Sequence, residues 1–459
     1  AAEGQGQVGL LSGEPGLGKS RLVEALREQL AGGPQLVTLL QCAAHTQASA
    51  LRPVIGWVER AAGLLPEDAV AARRRRLGGL PGVSAEADQV LAELLALADR
   101  AEPIGRQERR ERTLAALTGL LTHALPEQPR LLVLEDVHWS DAFTLDLLER
   151  IVAAAAARPL MLLVTARPEA ELSWAGGADV TTITLDRLEP PYAARIVQRL
   201  GAERLAPELC TRIVERAEGV PLFLEQLTRS LLEAGDRSTP VPATLQDVLM
   251  ARLDRLRSAK AVAQIAAVLG REFDFRLLAA CTGLDEPNLR EALAELVVSG
   301  LAQVQGEPPE AVYSFKHTLV QDAAYHSMLR AERRRLHGEI AQLIEQRFAR
   351  IADVQPELVA HHYTEAGAAV PAIAWWERAA GRAWAAAAAA EAVRHLQSAL
   401  VLLATQPDDP ARAQREIGLR RLLVGPLVNL GGYSSPDTEA NLDRLGLLRR
   451  RAPALTRAA

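Results

Sequence analysis

The sequence predicts a parallel α/β domain at its N-terminal end, followed by a longer and almost wholly helical region. Short apolar runs of strand length alternate with amphipathic stretches over residues 1–188. The first run passes straight into a glycine-rich loop, and a later one ends in two acids. From Leu188 onward helical periodicity takes over.

With 459 residues the chain exceeds what one core usually serves, so several domains are expected. Apolar residues at 49% and charged residues at 24% exclude wholesale disorder. No apolar run approaches the roughly 18–20 residues of a membrane span, and no membrane association is expected. Cys42, Cys210 and Cys281 are too scattered for a disulfide framework, so a reducing, cytoplasmic setting is expected. Cys42 and His45 lack a second ligand pair nearby, so no metal centre is expected there. A net charge of -5 argues against bulk binding to nucleic-acid phosphates. The chain starts without Met and shows no signal peptide, which reads as a piece of a longer protein.

Val8-Gly9-Leu10-Leu11 reads as a buried strand. It leads into Gly13-Glu14-Pro15-Gly16-Leu17-Gly18-Lys19-Ser20, and then into a helix with Leu22, Val23, Leu26 and Leu30 on one face. Strand, loop and helix are the context that the GxxxxGK[ST] phosphate loop requires. The glycines let backbone N–H groups turn inward as an anion nest, and the helix adds its positive end. Lys19 is expected to reach the β- and γ-phosphates of ATP and the Ser20 hydroxyl to ligate Mg²⁺, with Arg21 closing the binding segment. Only three of the 52 basic residues are lysine (Lys19, Lys260 and Lys316), and one stands where a compact ammonium is needed.

Leu131-Leu132-Val133-Leu134-Glu135-Asp136 reads as a buried strand whose tip carries two carboxylates to the nucleotide crevice. One acid holds Mg²⁺ through its waters and the other polarises the attacking water. By position Glu135 takes the first role and Asp136 the second, with the converse left open. A further strand at 160–164 ends in Thr165-Ala166-Arg167, where Arg167 is placed to sense the γ-phosphate. With strands at 36–40 and 182–185 the count reaches five, in a parallel sheet covered on both faces. A strand between the loop strand and the acidic strand is the arrangement of P-loop NTPases that hydrolyse through an added acid, the ASCE type.

These residues, with Val137-His138-Trp139-Ser140-Asp141 after the acids, resemble the STAND class of signal-transduction ATPases. They resemble in particular the modules of large bacterial regulators fused to class III nucleotide cyclase or Ser/Thr kinase domains. Gln41-Cys42-Ala43-Ala44-His45 and Leu51-Arg52-Pro53-Val54-Ile55 are similar to the segment after the second strand there. Gly219-Val220-Pro221-Leu222-Phe223 resembles the family's GxP motif, which implies that Pro221 packs on adenine. Phe315-Lys316-His317 with Asp322 resembles its histidine sensor, which implies that His317 touches the β-phosphate of ADP. The family's upstream Gly-Arg-Glu segment precedes residue 1, which puts the completeness of the adenine pocket in question. The interval from Lys19 to Glu135 is long and includes four arginines at 73–76, read as a solvated face beside neighbouring acids.

The expected layout is a P-loop core at 1–188, a helical lid at 189–240, a winged helix at 241–345 and helices similar to tetratricopeptide repeats at 346–459. The lid helices fall at 192–200, 207–217 and 222–232. Ser238-Thr239-Pro240-Val241-Pro242 marks the boundary that follows. Helices at 244–256, 261–269 and 287–298 with strands at 301–304 and 312–315 make the winged helix. Glu286, Glu291 and Glu295 on its third helix would repel phosphate, so direct DNA binding is not expected. The tail helices fall at 360–366, 372–390, 392–403 and 412–423.

The expected activity is slow, Mg²⁺-dependent ATP hydrolysis in a switch that exchanges ATP and ADP states. Its expected partners are a fused effector outside the sequence, a protein on the helical repeats and a nucleotide-dependent oligomer. The alternatives are the ATPase module of a helix-turn-helix transcription regulator and a scaffold locked on ADP.

Overall fold

The computed structural model describes residues 6–455, except 34, 44, 45, 48, 65–67, 82, 99–103, 124–127, 202–204 and 235–241. The chain divides into two compact units. One joins Pro34–Leu162 and His337–Ala459 with a short N-terminal stretch, and the other joins Val8–Gly33 with Leu163–Leu336.

The N-terminal elements run β1 (Gln7–Gly13), α1 (Lys19–Leu30), β2 (Leu36–Gln41), α2 (Arg52–Ala61), α3 (Val70–Gly78), α4 (Ala85–Leu94), α5 (Arg106–Thr122), β3 (Arg130–Glu135), α6 (Ala142–Ala155), β4 (Leu160–Ala166) and β5 (Val180–Leu185). The strands form one parallel sheet in the order β2-β3-β4-β1-β5. β4, whose residues are shared between the units, is the strand inserted between the acidic strand and the loop strand. Every residue of β3 is buried, as its unbroken apolar run requires of a strand covered on both faces. The expected cover fails at β5, an edge strand on which Ile183 is 52% exposed. The arginine run also divides: Arg74 and Arg76 pair with Asp88 and Asp68, but Arg73 is buried.

Within the second unit, α7 (Pro190–Arg199), α8 (Pro207–Ala217) and α9 (Pro221–Ala234) enclose Val197, Ile213, Leu224 and Leu227. The expected proline linker after them lies outside the described residues except for Pro242. Then come α10 (Leu245–Arg255), α11 (Arg257–Leu269), β6 (Glu272–Asp274), α12 (Phe275–Thr282), α13 (Glu286–Val298), β7 (Ala302–Gln305), β8 (Val312–Phe315) and α14 (Thr318–His326). The strands pair antiparallel in the order β6-β8-β7. Sequence patterning misses β6, whose three residues are too few to show alternation, and with it the eight-residue helix α12 that follows. The Asp274 carboxylate that joins them caps α12 by accepting the N–H groups of Arg276 and Leu277.

The chain ends in α15 (Arg330–Arg347), α16 (Ala349–Val354), α17 (Pro356–Ala366), α18 (Ala369–Ala385), α19 (Ala389–Ala404), α20 (Pro410–Gly431) and α21 (Pro436–Leu455), with each of α17 to α21 packed on the next. The helix expected at 372–390 does not run through. The chain turns at 386–388, with Ala387 in the left-handed region at φ 60°. Arg110 of α5 donates to the Ala387 carbonyl at 3.3 Å. A tertiary contact thus overrides the helix propensity of the alanines. No helix among the described residues is long and apolar enough to cross a membrane.

Candidate functional site: a phosphate loop and an acid-tipped strand

In the second unit, β1 delivers the chain into the loop and α1 starts at Lys19, with Gly18 as its N-cap. Gly16 (φ 84°) and Gly18 (φ 99°) both adopt backbone that side chains disfavour, as inward-turned N–H groups need. Lys19 is 8% exposed, and its ammonium donates to the carbonyls of Gly13 at 2.5 Å and Glu14 at 3.0 Å. Glu14 and Pro15 are exposed, while Leu17 and Ser20 are half-buried. Arg21 points along its own helix to Glu24 and Glu28.

The start of α9 closes on this loop. Leu222 donates its N–H to the Gly16 carbonyl at 3.2 Å. A Cβ on Gly16 would come within 3.2 Å of the Val220 side chain. Pro221 therefore sits directly beside the loop. Gly219 (φ 75°) cannot carry a side chain either, since its Cβ would lie 2.3 Å from the Leu188 carbonyl oxygen. Its own carbonyl accepts the Leu188 N–H at 2.8 Å.

Two more candidate residues lie in this unit. Burial raises the Asp322 carboxyl of α14, and the charges of His326 and then of Arg167, at the tip of β4, oppose that rise. His317 is the N-cap residue of α14, and its buried Nε2 has no hydrogen-bond partner among the described residues. Burial lowers its pKa to about 4, against the opposing pull of Glu225, so the imidazole is neutral at pH 7.

In the first unit β3 carries the acids. Glu135 is 4% exposed and accepts a hydrogen bond from Gln41 Nε2 at 2.7 Å, across the register that pairs the two residues. Asp136 leaves the strand in the left-handed region, φ 56°, and turns the chain into a 3-10 turn at Val137–Trp139. Next to it Cys42 Sγ lies 3.1 Å from Ser140 Oγ. Burial pushes the Cys42 thiol up to about 12, so it is packing rather than nucleophile. Asp141 then caps α6, its carboxylate accepting the N–H groups of Thr144 and Leu51.

Sequence reading placed Gln41, Leu222 and Asp141 in segments similar to the family's but gave none of them a role of its own. An Asp directly before the apolar helix 142–155 is an N-cap signal and was available. Among the described residues no three His, Cys, Asp or Glu side chains gather as a metal centre. A Mg²⁺ ion suits this donor set only if most of its ligands are phosphate and water oxygens, which is its habit in ATPases.

Strand order, loop and acid-tipped strand define a P-loop ATPase. Residues 1–164 match the model of the AAA ATPase domain family. This part of the chain is a P-loop ATPase domain that is similar to that family. The chain is 28% identical to an uncharacterized protein of Rhizobium meliloti (strain 1021) over 98% of its own length, and it spans 45% of that relative. Among solved structures it is similar to a STAND protein with a tetratricopeptide repeat sensor from Pyrococcus horikoshii. There the identity is 12%, the TM-score 0.48, and the coverage 98% of this chain and 63% of the other. It is also similar to RuvB of Thermotoga maritima, at 14% identity and a TM-score of 0.28, covering 70% of this chain and 87% of that one.

Proposed function

We propose that the chain is the nucleotide switch of a STAND-class signalling protein, cycling slowly between ATP and ADP states in the cytoplasm. The observation that carries this reading is the contact between lid and loop. Leu222 and Val220 touch Gly16, so a phosphate that reshapes the loop also moves the start of α9. The segments would be the core at 1–188, lid at 189–240, winged helix at 241–345 and repeats at 346–459. Lys19 would neutralise the β- and γ-phosphates, Ser20 and one acid would hold Mg²⁺, and the other acid would orient water. Pro221 would meet the adenine. His317, neutral and with an Nε2 that has no hydrogen-bond partner among the described residues, would meet the β-phosphate, and Arg167 would answer the γ-phosphate. By resemblance the output would pass to a fused cyclase or kinase, through a nucleotide-dependent oligomer and a protein partner on the repeats.

The deciding experiment identifies the nucleotide released when the purified protein is denatured, with Lys19→Ala alongside. Stoichiometric ADP that is lost in the variant supports the switch. Equal retention by both proteins would sink the role given to Lys19.

A further inference from the structure

Leu224, Leu227 and Leu231 of α9 enter the apolar core that this helix shares with α7 and α8. Gln226, Ser230 and Glu233, four and three residues apart, form a second stripe along the same helix. Gln226 and Ser230 are buried, so the polar stripe is covered as well. Its cover includes Arg252 of α10, the bulkiest fully buried side chain among the described residues. Nε and Nη2 of Arg252 donate to the two carboxylate oxygens of Glu233, at 3.3 and 2.8 Å, and Nη1 donates to Gln226 Oε1. Nη2 also donates at 2.5 Å to the carbonyl of Ser299, the C-cap of α13. One guanidinium thus joins α9, α10 and the C-terminal end of α13, whose dipole favours a cation there. Arg255, three residues further along α10, donates to the Ser230 carbonyl at 2.8 Å.

A buried guanidinium costs more than an apolar side chain of like volume, because the charge gives up its water. What it supplies is direction. Apolar contacts are non-directional, whereas a planar set of donors matched to fixed acceptors holds a helix in one register. The helix held here is the one that meets the phosphate loop. Gln226 stands four residues, about one turn, after Leu222, whose N–H reaches the Gly16 carbonyl at 3.2 Å. Glu225 beside it pairs with Arg229 at 3.1 Å and stands 3.9 Å from Lys316, next to His317.

We propose that Arg252 is a positioning residue for the phosphate loop. It holds α9 on α10 and α13 in the register that keeps Leu222 bonded to Gly16, and so slows the release of bound nucleotide. The hold on Gly16 is independent of the switch reading; the effect on nucleotide rests on it. Lysine does not replace this arginine, because its three donors radiate from one point and cannot span Gln226, Glu233 and Ser299 together.

The test uses the whole chain, first without nucleotide and then with a fluorescent ADP analogue. In nucleotide-free protein, Arg252→Met is expected to speed hydrogen exchange over 220–226 about tenfold, while α12, which supplies none of these partners, keeps its rate. Release of the analogue is expected to be about tenfold faster, within the range usual for coupled sites. Arg252→Lys is expected to restore neither. Glu233→Ala, at a half-exposed position where truncation is tolerated, gives smaller changes in the same direction and serves if the methionine variant does not fold. Val220→Ala separates positioning from plain stabilisation, because Val220 lies against Gly16. If Arg252 acts through the start of α9, the Arg252→Met and Val220→Ala effects on release are less than additive; a merely structural arginine gives additive ones. If the unaltered protein binds no ADP, the switch reading fails and hydrogen exchange alone decides. Unchanged exchange over 220–226 in both Arg252→Met and Glu233→Ala overturns the proposal, and so do additive effects on release.

Discussion

Glu391 of α19 accepts the backbone N–H of Ala142 at 3.0 Å, so a carboxylate from the C-terminal helices sits at the N-terminus of α6 beside the cap residue Asp141. Both side chains are 1% exposed. The helix they hold begins six residues after Asp136, so the C-terminal region is fastened to the segment that follows the acidic strand.

Removing this fastening is expected to loosen it locally. Glu391→Ala leaves the Ala142 N–H without its acceptor, a loss of about 1–3 kcal/mol. Hydrogen exchange at the start of α6 and along α19 is expected to speed up, and ATP turnover to rise if the docked helices restrain the core. Unchanged exchange would mean that the contact contributes nothing to docking.

The paired acids make stability depend on pH. Burial, and after it the charge of Glu391, raises the Asp141 pKa from 3.8 to about 6. A raised carboxyl pKa means that the folded chain holds a proton that the unfolded chain releases. The contribution is therefore fully present below pH 3.8 and is lost as pH rises through 6. Asp141→Asn keeps acceptors for Thr144 and Leu51 and removes the charge. It is expected to raise the thermal midpoint at pH 8 by about 2–4 °C and to have no such effect at pH 4. A lower midpoint at pH 8 would show that the helix N-terminus needs the anion more than Glu391 repels it.

Gly16→Ala forces a Cβ onto left-handed backbone, at a cost of about 1–2 kcal/mol, and presses it against Val220. ATP affinity and the protease resistance of 190–234 are expected to fall together. A fall in affinity with the lid unaffected would uncouple the two.

Asp136→Asn is expected to spare ATP binding and slow turnover by about 10²–10⁴-fold, as loss of a general base does. Glu135→Gln is expected to weaken Mg²⁺-dependent binding. The reverse pattern, read from single-turnover rates and Mg²⁺ titrations, would exchange the two roles.

Ala387→Gly removes the strain of a left-handed alanine and keeps the carbonyl that Arg110 holds. A gain of about 1 kcal/mol is expected, seen as a higher unfolding midpoint. A loss would place the cost in unfolded-state entropy instead.

Much of the core was legible because its signals are local. An apolar run meeting a glycine loop needs only adjacent residues to declare strand, turn and helix, so β1, Gly13–Ser20, α1 and β3 follow from the sequence alone. The alanine tract at 385–390 misled for the same reason. Local propensity asks for a helix there, and the break is imposed by Arg110, 277 residues away in sequence. Glu391 is similar: within its own helix it is one acid among alanines, and its meaning lies in the Ala142 N–H it finds.

By itself, then, the sequence determined the chemistry that lies in contiguous residues: the phosphate loop, the two acids, the parallel sheet and the helical tail. Tertiary structure decided which atoms those residues meet. It set Gly16 against Leu222, Glu135 against Gln41, and Glu391 beside Asp141. It also closed Arg252 on Gln226, Glu233 and Ser299. Hydrogen-bond geometry and burial act between positions tens to hundreds of residues apart, and no spacing along one chain encodes them in readable form.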